Sequence, residues 1–164
     1  PLSSFELLDP TFDAGNSFGY RMTVLTNGNI VVVSPFDSSG PGGVNSGAVH
    51  LYNPYEQTVI KSFYGDQKDD RLGYSGVTAL ANNNFVVISS EDQVDSIPGA
   101  GSVKLVSGTT GAQIGDNILQ GTTKEDMQFP RIITTTAPDA FIIGFPYFDK
   151  SEQVDSGFAK VFAY

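Results

Sequence analysis

Residues 28–52 read GNIVVVSPFDSSGPGGVNSGAVHLY, and this stretch decides the fold class. Two apolar runs, NIVVVSP and GAVHLY, are separated by a loop of Gly, Ser, Asp, Asn and Pro. Val and Ile runs favour β-strands, and Gly and Pro mark turns and loops. Because the first run is apolar at consecutive positions, we expect both faces of its strand to be buried.

The same pattern recurs twice further along the chain. Its first apolar run returns at intervals of 55 and 56 residues, as NIVVVSPFD at 29–37, NFVVISSED at 84–92 and AFIIGFPYFD at 140–149. A glycine precedes the second run in each unit, at Gly47, Gly101 and Gly157. The chain is therefore built from three related units.

Each unit reads as four short strands, although the third unit ends before its fourth. The first two strands of unit one are joined by TNGN at 26–29, and Asn-Gly is the strongest short hairpin signal. No stretch has sustained helical periodicity. Four antiparallel strands recurring at this interval are typical of β-propeller blades, which cover one another's apolar faces. We predict an all-β fold with three blade-like units.

The unit boundaries follow from this pattern. We predict an orphan outer strand within residues 1–10, which would complete a blade, and repeats at 11–65, 66–121 and 122–164, the last without its own fourth strand. Rings usually have 4–8 blades, so three are too few to close. The chain is then part of a longer array, or copies assemble into a six-bladed ring or a filament. The alternative is a compact β-domain whose strands pair differently.

Composition excludes several classes of partner and chemistry. A net charge of −9 disfavours binding to nucleic acid and to anionic membrane surfaces. No apolar run is long enough to insert into a membrane. Without cysteine the chain has no disulfide, no thiolate metal site and no cysteine nucleophile.

The motif FG…NGNIVVVSP…NSGAVHLY resembles the FG-GAP repeat of the integrin α-subunit propeller and its bacterial relatives. Phe18-Gly19 matches the opening pair and Gly47-Ala48-Val49 the last element; unit two has Leu72-Gly73 and unit three Phe129-Pro130. The resemblance implies a β-propeller that lies outside the cell or on its surface. Many such repeats carry an aspartate-rich calcium loop before the Val/Ile run. This sequence has LTNGNIV, LANNNFV and TAPDAFI there, so we expect no calcium at that position.

Acidic residues cluster elsewhere in the sequence. DQKDD supplies Asp66, Asp69 and Asp70, which form our candidate metal site, with Ca²⁺ as the only cofactor considered. Two further clusters, EDQVD at 91–95 and KEDMQ at 124–128, have the same character. The alternative for all three is a solvated loop without an ion.

Catalytic motifs are not found in the sequence. His50, the single histidine, aligns with Lys104 and Lys160, which indicates a polar-facing strand position rather than a catalytic base. No Gly-x-Ser-x-Gly elbow accompanies it. The arginines occur once per unit, and we expect Arg21, Arg71 and Arg131 to pair with nearby aspartates.

Loop aromatics are the remaining candidates for binding. We expect Phe36, Tyr55, Tyr147 and Phe148 to contact a protein or glycan ligand, with packing between blades as the alternative. The first functional hypothesis is a non-catalytic extracellular structural or adhesive module whose partners are other copies or neighbouring repeats. The second is a lectin-like propeller, and the third is a hydrolase accessory domain that uses loop carboxylates.

Overall fold

The computed structural model describes residues 4–134, 140–150 and 153–163, except for the side chains of 133 and 134. Over these residues the protein is all-β, without helix, and its strands form three antiparallel sheets. No helix long and apolar enough to cross a membrane occurs in the described part of the chain. The predicted all-β class is confirmed.

The sheets follow one another along the chain. Sheet 1 has the order β1-β2-β3-β4, formed by β1 (Arg21–Val24), β2 (Ile30–Ser34), β3 (Ala48–Asn53) and β4 (Thr58–Tyr64). Sheet 2 has the order β5-β6-β7-β8, formed by β5 (Gly76–Ala79), β6 (Asn84–Ser89), β7 (Ser102–Ser107) and β8 (Leu119–Gln120). Sheet 3 has the order β9-β10-β11, formed by β9 (Arg131–Thr134), β10 (Ala140–Phe145) and β11 (Phe158–Ala163).

Strand register reproduces the alignment of the three units. The pairs at matching positions are Val32 with His50, Val87 with Lys104, and Ile143 with Lys160. A one-residue slip would move every side chain of a strand to the other face, so equal register means equal faces. Equivalent residues of the three sheets can therefore be compared directly.

The sheets pack face to face through two apolar clusters. The first joins sheet 1 to sheet 2 and contains Val31, Val33, Val49 and Leu51 with Phe85, Val87 and Val106. The second joins sheet 2 to sheet 3 and contains Val86, Ile88, Val103 and Leu105 with Phe141, Ile143 and Phe145. Successive residues of β6 thus enter opposite clusters, which confirms the burial of both faces. Each such side chain contributes about 1.5–3 kcal/mol on burial.

The loop between the second and third strands of each sheet closes in the same way. The N–H groups of the three repeat glycines donate to the carbonyl oxygens of Asp37, Asp92 and Phe148. Gly47, Gly101 and Gly157 have φ values of 80°, 88° and 76°, the left-handed region in which a side chain is strained. A Cβ on Gly47 would also lie 2.3 Å from the nitrogen of Leu72. The repeated glycine is therefore a structural requirement of this loop.

The Asn-Gly turn closes the β1–β2 hairpin and also links two sheets. Gly28 has φ 86°, and its N–H donates to the carbonyl oxygen of Leu25 at 2.9 Å. The side chain of Asn29 donates to the carbonyl oxygen of Gly108, the residue that follows β7 of sheet 2, at 2.8 Å. A buried amide that finds its acceptor on the next sheet fixes the offset between the two sheets.

The predicted orphan strand at the N-terminus is wrong for the residues that the structure describes. Residues 4–20 belong to no strand. Residues 4–18, here called the N-terminal segment, contact the outer face of sheet 1 through Leu8 and Phe18. Tyr52 Oη donates to the carbonyl oxygen of Leu8 at 2.6 Å. The Asp9 carboxylate accepts the N–H of Thr11 at 3.0 Å, and Pro10 has no N–H to offer a sheet. Side chains, rather than a neighbouring strand, form these hydrogen bonds with the backbone of the segment.

Leu51→Ala tests the contact between sheets 1 and 2. Leu51 is fully buried in the first apolar cluster, so we expect the free energy of unfolding to fall by about 2–5 kcal/mol. Urea denaturation followed by tyrosine fluorescence measures it. The control is Val24→Ala, because Val24 is 64% exposed and its truncation should change the same quantity by less than about 0.5 kcal/mol. Equal losses in the two variants would contradict the stacked arrangement.

Candidate functional site

Two groups of acidic side chains lie at equivalent ends of sheets 1 and 2. We call Asp66, Asp70 and Asp92 the tri-aspartate cluster, and Asp9, Asp37 and His50 the histidine cluster. In each group one potential ligand atom per residue lies within 4.8 Å of the others. Both form where the loop after the second strand meets the segment that leads into the sheet.

The tri-aspartate cluster contains two of the three predicted metal ligands. Asp66 and Asp70 lie together, and the third member is Asp92, from the β6–β7 loop. Asp69 is not part of the group, because its Oδ1 accepts a hydrogen bond from Asn45 Nδ2 at 2.9 Å. Sequence proximity suggested Asp69, whereas the fold brings in a residue 22 positions further along from Asp70.

Asp70 is the central residue of this cluster. It is buried, and its two carboxylate oxygens accept the N–H groups of Gln67 at 2.7 Å and Gln93 at 3.1 Å. Burial raises the pKa of Asp70 to about 6. The two hydrogen bonds lower this pKa and offset part of the effect of burial, whereas the negative charges of Asp92 and Asp66 raise it further. Carboxylate oxygens are the donors that Ca²⁺ prefers, so these are the residues that could hold such an ion.

A carboxylate anchor recurs in all three repeats. In each, an aspartate from the segment before the first strand accepts the N–H of the residue four positions beyond the end of the second strand. The pairs are Asp13 with Ser38, Asp70 with Gln93 and Asp126 with Asp149, at 2.8, 3.1 and 3.0 Å. The anchors fasten one connecting segment to the next loop, and charge-assisted bonds of this kind are about twice as strong as neutral ones. These three aspartates therefore have a structural role.

The structure buries His50 completely, so the prediction of a polar-facing position was wrong. Its aligned partner Lys160 is exposed and Lys104 is only half-buried. The difference arises because the N-terminal segment covers the outer face of sheet 1, and the Phe18 ring lies 5.9 Å from the imidazole. His50 Nδ1 lies 2.9 Å from Ser62 Oγ, while Nε2 has no hydrogen-bond partner.

Phe36 lies within an aromatic group between sheets 1 and 2. Its ring centroid is 6.1 Å from that of Tyr74, which stacks on Tyr20 at 5.4 Å. The Arg71 guanidinium carbon lies 5.7 Å from the centroid of the Phe36 ring. Phe36 is half-buried here, so packing between sheets, the alternative considered for the loop aromatics, accounts for its position.

Tyr147 forms one side of an open cleft of about 680 Å³. The opposite ring belongs to Phe129, whose centroid lies 5.6 Å away at an angle of 69°. Phe129 is 61% exposed and has φ 51°, which costs a non-glycine residue about 1–2 kcal/mol. In the segments before β1 and β5, the residues with positive φ include Gly19 and Gly73, at 86° and 79°. An exposed aromatic ring is therefore held where glycine would be easier.

The two other predicted aromatics lie apart from this cleft. Tyr55 is in the β3–β4 turn and is 84% exposed, with its ring close to Gly28. Phe148 packs against the second apolar cluster, and its ring centroid lies 5.1 Å from that of Phe158. The four predicted aromatics thus form no common surface, and Phe148 supports the packing between sheets 2 and 3.

The arginines contact aromatic rings and carbonyl groups. Arg21 Nε donates to the carbonyl oxygen of Tyr74 at 3.1 Å, and Arg131 Nη1 donates to that of Pro130 at 3.1 Å. No arginine forms an ion pair with any carboxylate that the structure describes. The expectation of arginine–aspartate pairs was wrong, because loop backbone and ring faces lie closer to these guanidinium groups than the acids do.

Sheet 3 has an apolar face that no described residue covers. Val161 is 63% exposed and pairs with Ile142, and the adjacent pair is Gly144 with Ala159. By register these residues are equivalent to Val31, Leu51, Val33 and Val49 of sheet 1, which are buried against sheet 2. We call Ile142, Gly144, Ala159 and Val161 the open face.

No protein-family model matches the chain, and no curated protein is significantly similar to it in sequence.

Several of these features were missed at the sequence level. Asp13 and Asp37 are isolated acids in the sequence, and Asp126 lies in the KEDMQ cluster. Only the fold shows that Asp13 and Asp126 are equivalent to Asp70, and Asp37 to Asp92. The signal that could have found them is the repeat itself, because Asp70 and Asp126 are 56 residues apart, as are Phe85 and Phe141. Phe129 was considered only as a degenerate repeat motif.

Asp70→Asn tests the raised pKa. Because the pKa of Asp70 in the folded chain, about 6, exceeds its ordinary value of 3.8, the folded state binds this proton more tightly than the unfolded state. The protonated carboxyl therefore stabilises the folded state fully at pH values below the ordinary pKa of 3.8, and this stabilisation is lost as the pH rises through 6. Between about pH 7.5 and about pH 4.5 the wild type should therefore gain roughly 1–3 kcal/mol relative to Asp70→Asn, as measured by urea denaturation at each pH.

The control is Asp69→Asn, which removes a neighbouring carboxylate outside the cluster. Its stability should keep a constant difference from the wild type over the same pH range. If the stability of Asp70→Asn instead follows that of the wild type in parallel across the pH range, Asp70 does not have the raised pKa.

Proposed function

We propose that this protein is a non-catalytic structural or adhesive module whose open face packs on a sheet of a second copy. Sheets 1 and 2 bury the equivalent face against the next sheet, and the open face has the same apolar character. Exposed contiguous apolar surface of this kind marks interaction sites. This equivalence of register is the observation that carries the proposal.

We further propose that the sheets are arranged as propeller blades. The first strands of sheets 1 and 2 lie side by side, and the Tyr20 and Tyr74 rings that precede them stack at 5.4 Å. Inner strands that meet while outer strands diverge are typical of blades around an axis. Because the N-terminal segment covers the outer face of sheet 1, the open face of a second copy is the partner that remains, and two copies would join there about a two-fold axis.

The role outside the cell rests on the resemblance to FG-GAP repeats. A non-catalytic role agrees with the surroundings of His50, whose imidazole lies within the sheet among aromatic rings rather than in an open cleft. The net charge of −9 repels the phosphate backbone of nucleic acids, so the partners that we propose are proteins or glycans.

Val161→Glu tests assembly through the open face. Sedimentation velocity over a dilution series, at about 0.15 M salt to screen the net charge of −9, should show the wild type as an oligomer that dissociates on dilution. The variant buries a carboxylate at the contact, so we expect it to sediment as a 17.5 kDa monomer throughout.

Val44→Glu is the matched control, because Val44 is 56% exposed but lies in the β2–β3 loop of sheet 1. It should assemble as the wild type does. A wild type that stays monomeric at high concentration, or a Val161→Glu variant that assembles normally, would contradict the proposal.

A lectin-like role is the second candidate, and the cleft between Phe129 and Tyr147 favours it. Two exposed rings beside Gln128 and Asp149 combine stacking surfaces with hydrogen-bonding groups. Sugar rings bind well to such surfaces, because the apolar face of the sugar covers the aromatic ring while its hydroxyls bond to the polar groups.

A glycan array probed with the wild type and with Tyr147→Ala tests this candidate. We expect binding to at least one glycan class, lost in Tyr147→Ala because a stacking surface is removed. Tyr55→Ala, which alters an exposed tyrosine outside the cleft, should bind as the wild type does. An array without signal, or equal loss in both variants, would remove the lectin-like role.

A further inference from the structure

The histidine cluster has the composition of a metal site. Asp37 and His50 are fully buried, Asp9 is half-buried, and one donor atom of each lies within 4.8 Å of the others. Asp37 comes from the β2–β3 loop, His50 from the middle of β3 and Asp9 from the N-terminal segment. Three separate parts of the chain therefore bring an imidazole and two carboxylates together.

His50 carries the second, independent observation. It is fully buried, its Nδ1 lies 2.9 Å from Ser62 Oγ, and its Nε2 has no partner. An unsatisfied buried polar atom costs about 1–3 kcal/mol. When Nδ1–H donates to Ser62, Nε2 bears a lone pair, which is the arrangement in which histidines bind metals. Burial also lowers the pKa of His50, although Asp9 and Asp37 oppose this, so the neutral imidazole is favoured.

The two carboxylates are oriented by hydrogen bonds from nearby groups. Asp37 Oδ1 accepts the N–H of Ser39 at 2.8 Å, and its Oδ2 accepts Thr11 Oγ1–H at 2.5 Å. Asp9 Oδ2 accepts an N–H from Asn16 Nδ2 at 2.5 Å. Outer partners of this kind hold ligand oxygens in position around an ion.

The equivalent positions in sheet 2 show what the histidine cluster lacks. There Lys104 replaces His50 and Asp92 replaces Asp37, and Lys104 Nζ lies 3.4 Å from the Asp92 carboxylate. That cluster thus contains a cation of its own. Among the described residues, neither Asp9 nor Asp37 forms an ion pair with a lysine or arginine, so the histidine cluster can take its cation from solution.

We propose that Asp9, Asp37 and His50 bind one divalent transition-metal ion, of which Zn²⁺ is the best fit, and that the ion fastens the N-terminal segment to sheet 1. An imidazole nitrogen selects Zn²⁺ over Ca²⁺ or Mg²⁺, which prefer oxygen alone. Tetrahedral Zn²⁺ needs donors about 3.4 Å apart, so the ligands must close from their present spread. Asp9 can supply that movement because its segment belongs to no strand and borders a cleft of about 270 Å³.

Selective ¹⁵N-histidine labelling tests the site, because the chain has a single histidine. The full chain is used without an affinity tag, which would add histidines, and is titrated with ZnCl₂. We expect the Nε2 resonance to shift strongly with saturation at one Zn²⁺ per chain, while Nδ1 changes little. An unmoved histidine spectrum in the presence of Zn²⁺ overturns the proposal.

Calorimetric titration with ZnCl₂ and CaCl₂ compares variants. We expect Asp37→Asn and His50→Ala each to weaken Zn²⁺ binding at least about 100-fold, and Ca²⁺ to bind far more weakly than Zn²⁺. Asp92→Asn, which removes the equivalent acid of sheet 2, is the control and should keep the wild-type affinity within about threefold. Equal weakening in Asp92→Asn, or Ca²⁺ binding as tight as Zn²⁺, would overturn the assignment.

Asp9→Asn provides a further variant if His50→Ala does not fold, since Asp9 lies outside the sheets. The midpoint of thermal unfolding should rise with added Zn²⁺ in the wild type and in Asp92→Asn, because an ion that binds only the folded chain stabilises it. It should not rise in Asp9→Asn. A rise of the same size in Asp9→Asn would place the ion elsewhere and overturn the proposal. The test is independent of assembly through the open face.

Discussion

The face-to-face burial of Val and Ile strands is the constraint on which this structure depends. Each central strand is apolar on both sides, so a single sheet packed on one neighbour would still expose an apolar face to water. Sheet 2 resolves this by packing between its neighbours, with Phe85 and Val87 on one side and Val86 and Ile88 on the other. The three sheets therefore stabilise one another, and none is a self-sufficient unit.

The polar parts of each repeat serve the same packing. Repeat glycines close the loops at a left-handed position, and buried aspartates such as Asp70 and Asp126 tie each connecting segment to the next loop. These anchors hold each connecting segment against the loop of the sheet that it leads into. The two ends of the stack differ: the N-terminal segment covers sheet 1, whereas sheet 3 presents the open face. Function is therefore best sought at the ends.

The sequence predicted the all-β class and the strand alignment that the three sheets share, because Val/Ile runs, glycines and a constant interval are local signals. It failed where a position depends on what lies across space. His50 was placed by analogy with Lys104 and Lys160, but a covering segment buries it. Asp92 joined Asp66 and Asp70 in place of Asp69 because loop geometry, rather than proximity along the chain, decides which carboxylates meet. For Phe148 the sequence left ligand contact and packing between blades both open, and the structure shows the packing.

A double-mutant cycle between facing sheets tests the central claim most directly. The Phe63 ring of sheet 1 lies 6.5 Å from the Phe85 ring of sheet 2, whereas Phe141 belongs to the other cluster. Measured by urea unfolding, Phe63→Ala and Phe85→Leu should couple by at least about 0.5 kcal/mol. The pair Phe63→Ala and Phe141→Leu should be additive within about 0.3–0.5 kcal/mol. Additivity in the first pair, or equal coupling in both, would contradict sheets that shield one another face to face.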